Sequence, residues 1–81
     1  MSTFRITFDE DSDITPDEAA KRVLDFVGDH DDFDEPSVRT YNSRPIAVDL
    51  MCFDATGNAA AVLKKSFWGA SSDIHNVSQK R

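Results

Sequence analysis

The residues best equipped for chemistry in this chain are acids. Residues 29–35 read DHDDFDE, five carboxylates in seven positions around His30 and Phe33, and a second run sets Asp9, Glu10, Asp11 and Asp13 ahead of the first helical pattern. Clustered carboxylates can bind divalent cations, exchange protons or present a field of negative charge. Each use makes its own demand on the neighbouring residues.

A calcium loop needs oxygen ligands at positions one, three and five, glycine at six and a bidentate glutamate at twelve. Across residues 9–20, Asp9, Asp11, Asp13 and Asp17 meet positions one, three, five and nine, but Ile14 stands at six and Ala20 at twelve. In the second run the fifth position is Phe33. Zinc would have to draw on His30, Cys52 and His75, which share no close spacing, and Cys52 lies in an alternating apolar strand where it reads as a small core residue. No metal or other cofactor is expected.

Catalytic patterns are equally absent. Cys52 and Ser66 have no recognisable base partner, and the three glycines form neither a nucleophile elbow nor a phosphate loop. Acid–base work by paired carboxylates requires a shaped, partly dry pocket, and exposed runs do not provide one. The expectation is a protein without catalytic residues, an enzyme subunit completed by another chain being the weakest alternative.

Charge distribution carries more information than the total of −6. Residues 1–36 hold twelve acids against Arg5, Lys21 and Arg22, a net of −9, whereas residues 37–81 carry +3. Such asymmetry marks a face for a charged partner or serves solubility alone. Asp29, Asp31 and Asp32 follow a helix C-terminus, where the macrodipole disfavours anions by about 0.3–1 kcal/mol each, so local folding does not account for them. The leading expectation is an acidic docking surface for a basic protein partner, made of Asp9, Glu10, Asp11, Asp13, Asp29, Asp31, Asp32, Phe33, Asp34 and Glu35, with both acidic runs at one end of the domain. Phe33 serves there either as an apolar anchor or, preferably, as a core residue. The plain alternative for the run is a solvated loop that blocks strand pairing.

A second function class is binding of single-stranded nucleic acid by Arg39, Tyr41 and Arg44 on a hairpin, with Lys64 and Lys65 and the strand aromatic Phe53. Net negative charge and the lack of a recognition-strand consensus oppose it. In size, acidity and want of catalytic apparatus the chain resembles the small accessory or inhibitor proteins of phages and mobile elements, some of which imitate DNA. With one cysteine, no basic-then-apolar leader and no apolar run of membrane-spanning length, a cytoplasmic protein away from membranes is expected.

The elements that must position these residues are legible from period. Phe4, Ile6 and Phe8 alternate with Arg5 and Thr7 as in a half-buried strand. Thr15, Pro16 and Glu18 form a helix start, followed by an apolar stripe of Ala20, Val23, Leu24 and Val27 and a left-handed stop at Gly28. Residues 37–53 predict two strands joined near NSRP, with Ile46, Val48, Leu50 and Cys52 on one face and Ala47, Asp49, Met51 and Phe53 on the other. A second helix follows Asn58, with Ala59, Val62, Leu63 and Phe67 inward and Gly69 at its end. The pattern predicts an α+β domain over residues 1–69 in β-α-β-β-α order, its two helices on one face of a three-stranded antiparallel or mixed sheet. Residues 70–81 predict a polar, flexible tail, unless DIHNV adds a short fourth strand.

Overall fold

The structure is a computed structural model that describes residues 1–41, 45–69 and 73–80. In chain order the elements are β1 (Ser2–Phe8), α1 (Pro16–Gly28), β2 (Phe33–Asp34), β3 (Ser37–Thr40), β4 (Ala47–Cys52), β5 (Asp54–Ala55), α2 (Ala59–Val62) and β6 (Ile74–Lys80). Beyond Val62 the second helix widens into a π-helical stretch, Leu63–Trp68. Four strands form one antiparallel sheet in the order β3-β4-β1-β6, and β2 pairs with β5 in a separate two-residue ribbon. This is the α+β arrangement with both helices on one face, here on four strands.

Alternation builds the core. Phe4, Ile6 and Phe8 of β1 and Val48, Leu50 and Cys52 of β4 point to the helices and are almost wholly buried, joined by Ile46 ahead of β4. Thr15 caps α1 by accepting the Glu18 N–H at 3.2 Å, and Pro16 occupies the first turn where its missing donor costs nothing.

Three expectations need correction, and the two readings of Phe33 are decided for the preferred one. Residues 74–80 are not a tail: β6 pairs along β1 from Thr3↔Lys80 to Phe8↔Ile74, and Ile74 and Val77 enter the core. A register shift at Thr7/Phe8 puts an extra residue between the two buried positions, so a period of two does not run through the segment. The buried face of α1 is Ala19, Val23 and Val27 with Phe26 packed beside them, which turns Ala20 and Leu24 away; Leu24 is 38% exposed. Gly28 is not left-handed. No described glycine has a positive φ, and α1 closes with the Asp29 N–H donating to the Phe26 carbonyl at 3.3 Å and the His30 N–H to the Val27 carbonyl at 3.2 Å. Phe33, finally, is a core residue, 5% exposed with its ring edge-on to Phe4 at 6.1 Å, so it is no surface anchor. In the second helix Ala59, Leu63 and Phe67 are buried and Val62 packs partly against them, as expected, but the Asn58 side chain makes no capping hydrogen bond.

Candidate functional site

The two acidic runs lie at opposite ends of the molecule. Asp9–Asp13 follows the C-terminal end of β1, and the Asp9 N–H donates to the Asp73 carbonyl at 2.9 Å. Residues 29–35 follow α1 and meet β5 beside the other end of the sheet, where Ser2 pairs with Cys52. Thirteen helical residues at about 1.5 Å each separate the runs by roughly 20 Å. They do not form one acidic end.

Their surroundings differ as well. Asp9 lies 3.6 Å from His75, and together with Glu10, Asp11, Phe8, Pro45 and His75 it lines a hollow of about 410 Å³. Ser12 accepts the Ile14 N–H, and Asp73 is clasped by Arg22 through two hydrogen bonds of 2.8 and 3.2 Å, which hold its carboxyl below the usual range. This run is tied into the turn between β1 and α1. Asp13 is exposed on that turn.

The 29–35 run is built differently. The Asp32 carboxylate accepts from the Thr56 hydroxyl, the Asp32 carbonyl accepts the Thr56 N–H at 3.0 Å, and the Phe53 N–H donates to the Asp34 carbonyl at 3.0 Å. These bonds pin the acidic loop to residues 53–56 and set Asp34 directly opposite Asp54 in the β2–β5 ribbon. Asp31, Asp32, Asp34 and Asp54 line one hollow of about 130 Å³ with Ala55 and Thr56. Ion pairs among the described residues involve Asp9, Asp49 and Asp73 and none of these four. Among the described residues no three His, Cys, Asp or Glu side chains converge on a metal position. Asp29, Asp34 and Glu35 are exposed, and Glu35 has a φ of 46°, a left-handed conformation uncommon for a non-glycine residue.

Between these acids stands an aromatic ring. Phe53 continues the outward series Ala47, Asp49, Met51 and is 65% exposed. Its place in that series was legible from alternation, but its proximity to Asp34 and Asp54 depends on the two-residue ribbon, too short to leave a pattern in sequence. Cys52, one residue earlier, points inward, and burial together with the negative charge of Asp34 raises its thiol pKa, which leaves it a poor nucleophile.

The helix-free face of the large sheet carries charge of the other sign. Asp49 sits at its centre and is only 5% exposed. Arg5 of β1 donates to it from Nε at 2.9 Å and Nη2 at 3.2 Å, the Tyr41 hydroxyl donates at 2.6 Å, and Lys80 Nζ of β6 lies 3.7 Å away. The Arg5 hydrogen bonds hold the Asp49 carboxyl down at about 2, and Asp49 in turn raises the pKa of Arg5. Arg39 of β3 stands opposite Asp49 in register yet makes no ion pair with it. Three cations thus surround one carboxylate.

As a nucleic-acid platform this face presents no ring from its central strands, and its aromatics among the described residues, Tyr41 and Phe53, stand at the margins. The outward residues of the central strands are Thr3, Arg5, Thr7, Ala47, Asp49 and Met51, and Arg5 lies over the Tyr41 ring at 5.3 Å. Lys64 and Lys65 are exposed on the helical layer, across the sheet from Arg39 and Tyr41. Arg44 lies outside the described residues.

Comparison with protein-family models, curated proteins and solved structures finds no match to this chain. No described helix is long and apolar enough to cross a membrane.

Proposed function

We propose that this chain is a non-enzymatic protein-binding module of the cytosol, whose acidic loop at residues 29–35, with Asp54 and Phe53, docks on a basic surface of a partner protein. The observation that carries the reading is the pairing of Asp34 with Asp54. Like charges directly opposed across two strands cost stability, and no ion pair within the described residues offsets that cost. A cationic partner would. Phe53, exposed among these carboxylates, supplies the apolar contact that slows dissociation, while the acids speed encounter through long-range attraction.

Stopped-flow binding to a fluorescent oligolysine peptide tests this reading. Asp34→Lys with Glu35→Lys alters two exposed side chains and spares the Asp32–Thr56 contact. The double variant should associate about tenfold more slowly at low salt, with the difference shrinking as the Debye length falls below about 8 Å. Phe53→Ala should instead accelerate dissociation and leave the melting temperature unchanged. Equal association rates for parent and double variant at low salt would refute the docking role of the loop.

A further inference from the structure

The helix-free face carries both signs of charge along one strand direction, and this makes it complementary to itself. Its middle holds Arg5, Arg39 and Lys80 around the single carboxylate of Asp49. One end leads through Met51 and Phe53 to Asp34, Glu35 and Asp54. We propose that a second copy of this chain packs on this face, the acidic end of each copy lying over the cationic centre of the other. The proposal rests on the docking role of the acidic loop and names the basic partner as the chain itself.

The register supplies the geometry. Met51 stands level with Thr3 on β1 and Ser37 on β3, while Asp49 stands level with Arg5 and Arg39. A two-fold axis through Met51, in the plane of the face and perpendicular to the strands, reverses strand direction and keeps each strand over its own counterpart. Arg39 lies two residues from Ser37 along β3, and the acidic loop that ends at Glu35 precedes β3 on the other side of Ser37, so the axis brings Arg39 of each copy toward the acidic loop of the other. The same operation brings Phe53, the residue that follows β4, toward Asp49 of the other copy, beside the guanidinium of Arg5, where the ring gains a cation–π contact. Met51, partly exposed, meets its own copy on the axis. Arg5 is already oriented for this by its two bonds to Asp49, so little side-chain entropy is lost on contact.

Four strands about 4.8 Å apart and four to seven residues long give a face of at most roughly 19 by 23 Å. That is about 440 Å² per copy, below the size of a stable interface, and the acidic loop must contribute the rest. The dimer is therefore weak and salt-sensitive.

Sedimentation equilibrium of the full chain at low and high salt, up to millimolar protein, reads the result. The 9.0 kDa chain should double in mass at low salt and revert to monomer near 0.5 M salt, where screening is complete beyond about 4 Å. Arg39→Glu, which breaks no ion pair, and Asp34→Lys with Glu35→Lys should each weaken dimerisation about tenfold or more, and an equimolar mixture of the two should restore it, because the exchanged charges again face their opposites. Circular dichroism melts of each variant verify folding, and Arg39→Gln replaces Arg39→Glu if the latter unfolds. A chain that stays monomeric at millimolar concentration, or a dimer indifferent to both variants, overturns the proposal. So does failure of the mixture to recover. A monomer that still binds oligolysine through Asp34 and Glu35 overturns only the second copy as partner, whereas loss of both activities overturns the docking reading too.

Discussion

Replacing Asp49 by asparagine removes the one buried carboxylate of the sheet without changing its shape. In the folded chain this carboxyl titrates at about 2, held down chiefly by the hydrogen bonds from Arg5, against an ordinary value near 3.8. A folded-state pKa below the unfolded one means that the unfolded chain binds the proton first, so the stabilisation is fully present above about pH 4 and is lost as pH falls through 2. At about 1.4 kcal/mol per pH unit the shift corresponds to roughly 2.5 kcal/mol. The Arg5 side chain is 39% exposed, and solvent screening brings the expected contribution to about 1–2 kcal/mol. Asp49→Asn should therefore lower stability by that amount at pH 7, a fall in melting temperature of about 4–16 °C for a domain of this size. Urea unfolding of both proteins at pH 7, 4, 3 and 2 measures it, with the gap closing between pH 4 and pH 2. A constant gap at all pH values, or none at pH 7, would refute the reasoning.

Four further substitutions test the packing. Val23→Ala should cost about 2 kcal/mol and Leu24→Ala less than about 1 kcal/mol in urea unfolding, because Val23 is wholly buried and Leu24 faces solvent; the reverse order would mean that α1 is turned the other way. Phe33→Ala should cost about 3–5 kcal/mol through loss of its contact with Phe4, and a melting temperature unchanged from the parent would return Phe33 to the surface. Gly69→Ala would drive a methyl group into the Lys65 carbonyl oxygen and should lower stability by about 1–3 kcal/mol, whereas a neutral result would show that the π-helical turn relaxes freely.

Much of this fold was readable because period and burial coincide. In β1 and β4 every second residue is apolar, and those are the residues that the helices cover. The position of α1 was legible from Thr15 and Pro16, but its rotation was not: two overlapping stripes share Val23 and Val27, and the choice between Leu24 and Phe26 depends on Phe67, whose ring lies 5.0 Å from that of Phe26. β6 was legible only as an alternative, a short strand at DIHNV, because its register shift places Ile74 and Val77 three residues apart, a spacing that breaks the period of two. The acidity of residues 29–35 was plain, yet what distinguishes that run from Asp9–Asp13 is its opposition to Asp54, and what distinguishes Asp49 is the convergence of Arg5, Tyr41 and Lys80 from other parts of the sheet. These contacts span between 8 and 44 residues of sequence, or 31 for Lys80, and local pattern does not carry them.

The pairing of β1 with β6 also orders events in time. β1 is an inner strand of the sheet, yet one of its two neighbours, β6, is made roughly seventy residues after it. At synthesis rates of about 5–20 residues per second, β1 waits several seconds with one edge unpaired and with part of its apolar face uncovered by Ile74 and Val77. During that interval the nascent chain offers neighbouring chains a strand rich in phenylalanine, a hazard for aggregation. The acids on either side of α1 are already present by then, and their mutual repulsion opposes such contact until β6 arrives.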